Sequence, residues 1–288
     1  MAALEIDVEI APRRPGTWRR LAADPAGMLA GGFLALVVLG ALFAPWITGH
    51  DPYETDLANA MQPPGARHLF GTDGQGRDLF ARVLYGCRLT LMIGLVAVAI
   101  GGGLGAALGI LAAYYRALDG LIMRMMDVLL SFPAILFGLA IAAIFGPGVV
   151  AVMVAMAVAT VPQMARIARA GALTVLKLDY MEAGRAIGLG DGALIWRYLG
   201  ANCLSPMVVF ATLRLGQVIL LASALSFLGL GAQPPAAELG TMAAQGRDFL
   251  FIAPHIASIP SAAIFLIVLA FTLLGDALRD ATDPRLRG

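Results

Sequence analysis

The chain has 288 residues, of which 59% are hydrophobic and only 14% are charged, so its composition excludes an ordinary soluble domain. The formal net charge of +1 also excludes the strongly basic surface that a nucleic-acid partner requires. Apolar runs long enough to cross a hydrocarbon core of about 30 Å recur along the sequence. These features predict an all-α membrane protein that lies in the lipid bilayer and has no nucleic-acid partner.

Residues 1–27 form a polar N-terminal segment that precedes the first apolar run, residues 28–47. The arginines of this segment are Arg13, Arg14, Arg19 and Arg20. A cleaved signal peptide is one explanation, but the apolar run is too long for one, and Pro45 directly follows Ala44, the only small residue suited to cleavage. The pattern therefore predicts an uncleaved first span with a cytoplasmic N-terminus.

Residues 28–88 are expected to comprise this first transmembrane helix and a long external loop. The loop is predicted to end in a short amphipathic helix from about residue 79, which leads into the second span. The histidines of the chain, His50, His68 and His255, are scattered along the sequence, so we predict no metal site.

The second span, about residues 89–113, carries glycine at every fourth position: Gly101, Gly105 and Gly109. Small residues at this spacing form a flat stripe on which another helix backbone can approach closely. The stripe therefore predicts helix packing rather than a pore.

The third span is predicted at about residues 121–145, with a kink at Ser131-Phe132-Pro133. Arg124 and Asp127 are three residues apart near its cytoplasmic end, so they are expected to pair on one helix face. A structural tie is the simpler interpretation of this pair, and a proton relay is the functional alternative.

The fourth span, about residues 149–165, is followed by Arg166, Arg169 and Lys177, which predict a cytoplasmic exit. The long polar segment at residues 179–203 comes next.

Within that segment, Asp179 followed by Glu182 predicts a capped short helix. Gly188 is expected to end this helix in the left-handed conformation, and Asp191 is expected to cap a second short helix. Two short helices at a glycine elbow form a knob, which either docks on a partner or serves as a plain connector.

The fifth span, about residues 204–230, contains Arg214 and Gln217, which need a protein or water environment rather than lipid. Together with Ser223 and Ser226 on the same helix, they are the candidate residues of a translocation path. The sixth span is predicted at about residues 251–274.

Six spans with both termini in the cytoplasm satisfy the positive-inside rule. In this topology most arginines and the only lysine, Lys177, lie on the cytoplasmic side. Cys87 and Cys203 then lie on opposite faces of the membrane and cannot pair.

No catalytic residues are predicted, since the sequence has neither a Gly-Lys-Ser/Thr phosphate loop nor a hydrolase or metalloprotease motif. Three functions remain open: a permease subunit powered by separate ATPase chains, an ion-coupled secondary transporter of a small solute, and a structural membrane protein. A secondary transporter usually needs ionisable groups near mid-membrane. In this chain that region is nearly free of charge, with Arg214 as the exception, which disfavours a secondary transporter.

Four segments of the chain resemble a known family. EAGRAIG, residues 182–188, resembles the EAA loop of bacterial ABC-importer permeases, with Gly184 in place of the second alanine. The other three segments resemble the dipeptide/oligopeptide/nickel-type permeases: GTDGQGRD (residues 71–78), MRMMDVLLSFP (residues 123–133) and SFLGLGAQPP (residues 226–235).

This resemblance implies the second, C-type permease subunit of an ABC importer, with the type I importer permease fold and a five-helix core at residues 89–288. It implies that the chain forms half of a path for short peptides or peptide-like solutes in the bacterial inner membrane. The implied partners are a homologous second permease, two ATP-binding subunits and an external solute-binding protein.

The resemblance further implies a non-catalytic subunit that binds no cofactor, because ATP and magnesium would bind to the ATPase chains. The loop at residues 179–203 would then dock on an ATPase. The residues implied to couple there are Glu182, Ala183, Gly184, Arg185, Gly188 and Asp191.

Overall fold

The computed structural model describes residues 17–282, and this part of the chain consists of helices joined by loops. The helices are α1 (Thr17–Ala23), α2 (Pro25–Leu42), α3 (Ala44–Ile47), α4 (Leu79–Tyr114), α5 (Arg116–Ser131), α6 (Ala134–Phe145), α7 (Val149–Val175), α8 (Asp179–Ala186), α9 (Asp191–Phe227), α10 (Leu239–Gly246) and α11 (His255–Thr282). Among these residues, the only β pairing is an isolated bridge between Thr72 and Asp78. The all-α prediction is confirmed for residues 17–282, whereas the assignments made for residues 1–16 and 283–288 lie outside the described residues.

Among residues 17–282, five helices are long and apolar enough to cross a membrane: α2, α4, α7, α9 and α11. The number is six if α5 and α6, which meet at an angle of 88°, are counted together as one broken span. The predicted kink is at the right place, and it is a full break between two helices. Pro133 has no amide hydrogen and forces Phe132 into an extended conformation, so the helix ends there.

Three helices are longer than their apolar runs. The amphipathic helix predicted from about residue 79 is continuous with the second span in α4. Asp78 caps the first turn of α4, because its carboxylate accepts a 2.7 Å bond from the Ala81 amide. Helix α7 continues past residue 165 to Val175, and α9 begins at Asp191 instead of near residue 204. Polar residues at helical spacing extend each helix beyond the span, where hydropathy alone gives no signal.

The glycine stripe of α4 is buried against α7, as predicted. A Cβ atom on Gly105 would lie 2.9 Å from Cβ of Met164, and one on Gly101 would lie 2.9 Å from Cβ of Thr160. The carbonyl groups that face the stripe are, in order, those of Ala157, Val161 and Ala165. Because this order increases along both helices, α4 and α7 run parallel, with their backbones in direct contact.

The other long helices pack in alternating directions around this pair. Helix α9 is antiparallel to α7, α11 is antiparallel to α9, and α2 is antiparallel to α11, where Gly27 meets Ala277. One end of the bundle, called the α8 end, contains residues 17–24, 114–116, 176–191 and 278–282. The opposite end, called the α10 end, contains residues 43–78 and 228–254.

Helix α5 is tied to α7 by two ion pairs. Arg169 donates two bonds of 2.6 Å to the Asp119 carboxylate, and Arg166 donates a 2.5 Å bond to Asp127. The predicted pair between Arg124 and Asp127 on one helix is therefore wrong. Sequence spacing made Arg124 the nearest partner, but α5 packs against α7, which brings Asp127 to Arg166.

The loop at the α10 end folds back onto the start of α4. Asp73 accepts a 2.7 Å bond from Nε of Arg77, and both side chains are buried. The rings of His50 and His68 lie 4.9 Å apart, so the prediction that the histidines are scattered is wrong for these two. The loop brings them together although 18 positions of sequence separate them.

Candidate functional site

Helix α8 and its connection to α9 form a knob at one end of the bundle, between α7 and α9. Gly188 follows α8 in the left-handed conformation, with φ of +81°. The Gly188 amide donates to the Arg185 carbonyl (3.0 Å), and the Leu189 amide donates to the Gly184 carbonyl (3.1 Å). This pair of bonds is a Schellman ending, so the predicted left-handed glycine is confirmed.

The predicted caps of the knob are wrong. Leu178 occupies the position before α8 and makes no side-chain cap, so Asp179 and Glu182 simply lie in the first turn. Asp191 opens α9 without capping it; Gly190 occupies the cap position. The second short helix does not exist separately, because it continues as α9 through a π-helical stretch, Leu194–Gly200.

Asp191 instead holds the knob to the end of α4. Its carboxylate accepts bonds from the hydroxyls of Tyr114 (2.7 Å) and Tyr115 (3.1 Å). The hydrogen bond to Asp191 raises the pKa of the Tyr115 phenol. The Arg185 guanidinium lies 5.8 Å above the centre of the Tyr114 ring, which adds a cation–π contact. Nothing in the sequence marks these tyrosines except their position in a turn.

The knob has a packed inner face and an exposed outer face. Met181 and Gly184 are buried, and a Cβ atom on Gly184 would lie 3.0 Å from Leu194. A side chain at this position would therefore press on Leu194, which would have to shift by a few tenths of an ångström. The exposed coupling candidates are Glu182, Ala183, Arg185, Gly188 and Asp191. Beside them Ile187 is 76% exposed and Trp196 is 75% exposed, so the outer face presents large apolar side chains that nothing in the described chain covers.

We predict that removing the tyrosine hydroxyls loosens this knob. Tyr114→Phe and Tyr115→Phe keep both rings but leave the Asp191 carboxylate without these donors. Amide hydrogen exchange measured by mass spectrometry should therefore become faster in residues 179–194. Tyr53→Phe, at the opposite end of the bundle, is the matched control. Unchanged exchange in the double variant would contradict a role for these bonds.

Arg214 lies in the middle of α9 and is only 3% exposed. Its guanidinium donates to the Ala159 carbonyl (3.2 Å), to Oγ1 of Thr160 (3.3 Å) and to Gln217 (3.0 Å). The structure therefore brings the predicted pair Arg214 and Gln217 together. The acceptors on α7 are neutral, so the guanidinium ties α9 to α7 and does not face an open channel in this conformation.

Ser223 and Ser226 lie more than two turns farther along α9, and so do not share a site with Arg214. Both hydroxyls are buried and have no hydrogen-bond partner among residues 17–282. Ser223 borders a largely apolar cleft of about 440 Å³, next to Gly240 and Ser261. Ser226 is not among the residues that border this cleft.

Sequence reasoning missed a buried carboxylate at the start of α10. Glu238 is 1% exposed and accepts bonds from the amides of Gly240 (3.0 Å) and Thr241 (2.8 Å). The hydroxyl of Thr90 on α4 also donates to it, at 3.3 Å. Glu238 thus caps α10 and links it to α4, so part of the segment between α9 and α11 forms a buried helix.

The chain matches two families. Residues 105–288 match the binding-protein-dependent transport system inner membrane component family. Residues 16–64 match the N-terminal transmembrane domain of oligopeptide transport permease C.

Relatives of similar length carry related names. A protein of Brucella abortus biovar 1 named as a peptide transport system permease is 45% identical over 271 residues, covering 94% of this chain and 92% of the relative. The glutathione transport system permease protein of Escherichia coli O6:K15:H31 is 44% identical over 273 residues, covering 94% and 90%.

Two solved structures share the fold. An inward-facing conformation of the MetNI methionine ABC transporter has a TM-score of 0.57 at 20% identity, and the match covers 70% of this chain and 97% of that one. An amino acid ABC transporter has a TM-score of 0.52 at 19% identity, covering 68% and 91%. At these identities the likeness is one of architecture.

Proposed function

The chain belongs to the family of binding-protein-dependent transport system inner membrane components, and from this membership we propose that it forms half of a path for short peptides or peptide-like solutes. It is a permease subunit of an ABC importer and a multi-pass protein of the bacterial inner membrane. The observation that carries the proposal is the knob around α8, whose inner face is packed on its own chain while its outer face is exposed. We propose that an ATPase subunit covers this outer face.

The packing of the knob supports a mechanical role. Its buried side chains Met181 and Leu194 share one hydrophobic cluster with Ile110 of α4, Ala168 of α7 and Cys203 of α9. A force on α8 therefore reaches three long helices through close-packed contacts. We propose that closure of the ATPases moves the knob and that the attached helices rock about the path.

The proposed assembly contains this chain, a homologous second permease, two ATP-binding subunits and an external solute-binding protein. ATP and magnesium are proposed to bind to the ATPase subunits, and this chain is proposed to perform no bond chemistry. Its role is then to change the shape of a path, for which hydrolysis elsewhere supplies the energy.

We propose six spans, with α5 and α6 counted as one, and with both termini in the cytoplasm. Both ends of the described chain lie at the α8 end of the bundle, which supports this topology. The proposed organisation is an N-terminal segment at residues 1–27, a first helix and external loop at 28–88, and a core at 89–288 that contains the coupling loop. Helix α4 runs across the boundary at residue 88 and so joins the second and third parts.

The topology predicts on which side of the membrane each end of the bundle lies. The native thiols of Cys87 and Cys203 lie near opposite ends but are 4% and 1% exposed, so they are poor labelling sites. Cysteine introduced at Leu69, which is 61% exposed at the α10 end, should react with an impermeant maleimide on intact cells. Cysteine at Ala23, which is exposed at the α8 end but lies outside the knob, should react only after permeabilisation. The parent chain provides the background, and the opposite pattern would contradict the topology.

The transport proposal is tested with the complete importer in proteoliposomes. Labelled di- and tripeptides and glutathione should be taken up when ATP and the matching binding protein are both present. A protonophore should leave uptake unchanged, which separates this mechanism from ion-coupled transport. Uptake of sugars or inorganic anions with no uptake of peptides would contradict the proposed solute class.

A further inference from the structure

Three metal-ligating side chains meet at the α10 end of the bundle. His50 follows α3, His68 lies in the loop, and Asp78 immediately precedes α4. Nδ1 of His68 is 2.9 Å from Oδ2 of Asp78, and Nδ1 of His50 is 3.9 Å from the same oxygen. One ligand atom from each residue lies within 4.8 Å of the other two.

These separations suit a transition-metal ion. An ion about 2.0–2.1 Å from each ligand in tetrahedral geometry holds the ligand atoms roughly 3.4 Å apart. The distances to Oδ2 of Asp78, 2.9 and 3.9 Å, lie on either side of that value, so small side-chain movements suffice. We propose that His50, His68 and Asp78 form a binding site for a divalent transition-metal ion of the zinc class.

The surroundings favour a cation. The three side chains border a small cavity of about 120 Å³ that is also lined by Asp51, Glu54, Asp56 and Arg67. Four carboxylates therefore face one guanidinium, and the balance of charge attracts a positive ion. Two imidazoles and one carboxylate select zinc-like ions over magnesium, which prefers oxygen ligands and its own waters.

The site is also built in the manner of a metal centre. Asp78 and His68 are 5% and 9% exposed, and Oδ1 of Asp78 is held by the Ala81 amide at 2.7 Å, which leaves Oδ2 directed at the histidines. Such support fixes a ligand in place before the ion binds. The half-exposed His50 side chain forms the entrance. A bound ion would clamp the residues after α3, the loop and the first turn of α4 together.

The competing explanation is a hydrogen bond between His68 and Asp78 that is complete without metal. In that case His50 contributes nothing, so His50 decides between the two. His50→Gln removes the most exposed ligand and should not disturb folding. His255→Gln is the matched control, because it removes a histidine outside the cluster.

The experiment uses the full chain in its complex, stripped with a chelator and titrated with zinc in lipid nanodiscs. Wild type and His255→Gln should bind one zinc ion per chain with equal affinity and gain thermal stability from it. His50→Gln should bind at least tenfold more weakly, as should His68→Gln. Magnesium, added without ATP so that the ATPase subunits do not take it up, should produce no stabilisation in any variant.

Equal zinc binding by wild type and His50→Gln would overturn the proposal. So would the absence of stoichiometric zinc binding by the wild type, or a stabilisation that magnesium reproduces. Because both readouts are independent of transport, they leave the proposed function untouched.

Discussion

Replacing Gly105 with leucine is expected to separate α4 from α7 and so to abolish assembly of the chain into its complex. A Cβ atom at this position would meet the Val161 carbonyl of α7 and lie 2.9 Å from Cβ of Met164. Overpacking a core typically costs about 1–3 kcal/mol, and the cost is expected to be at the upper end here because the obstacle is backbone. Size-exclusion profiles of the detergent-extracted complex should lose the assembled peak, and uptake should disappear with it.

Gly103→Leu is the matched control on the same helix. Gly103 is exposed, and a Cβ atom there would meet nothing within 4 Å. This variant should assemble and transport like the wild type. Gly105→Ala is informative too, since alanine raises helix propensity by about 1 kcal/mol, so any destabilisation must come from the contact with α7. Normal assembly of Gly105→Leu would mean that the α4–α7 contact is not what holds the bundle together.

The helical architecture could be predicted because it follows from the physics of lipid. Apolar runs of sufficient length and a four-residue glycine repeat predict the long helices and a close helix contact along α4, but not that α7 makes this contact. Helix ends were less predictable. Asp78 caps α4 and Asp191 does not cap α9, although both are aspartates that directly precede or begin a helix.

The knob and the histidine cluster show why the rest could not be predicted. The left-handed Gly188 follows from local sterics and was correct. The partners of Asp191 and Asp127 come from other helices, and their choice depends on how α4, α5 and α7 pack together, which no local pattern encodes. Likewise, His50 meets His68 only because the loop folds back.

Replacing Gly188 with valine is expected to uncouple transport from ATP hydrolysis while leaving the bundle folded. Gly188 has φ of +81°, a region that costs an ordinary residue roughly 1–2 kcal/mol and a β-branched residue more. At about 1.4 kcal/mol per factor of ten, the native knob geometry should become at least tenfold less populated. ATPase co-purification and substrate-stimulated hydrolysis should both fall.

Glu182→Ala tests a different property of the same knob. Glu182 lies exposed in the first turn of α8 and caps nothing, so within the chain its charge contributes at most about 1 kcal/mol through the helix dipole. A loss of ATPase binding larger than this would therefore come from a contact with the partner subunit. Normal binding by Glu182→Ala would leave the exposed Ile187 and Trp196 as the main contact surface.

Gly190→Val controls for the glycine substitution itself. A Cβ atom at either glycine meets nothing within 4 Å, so steric collision is absent at both positions. Gly190 differs in having φ of −68° and ψ of 154°, an extended conformation that valine readily adopts. Gly190→Val should therefore keep wild-type ATPase binding and uptake. If Gly188→Val behaved in the same way, the left-handed elbow would have no part in coupling, and α8 would be a plain connector between α7 and α9.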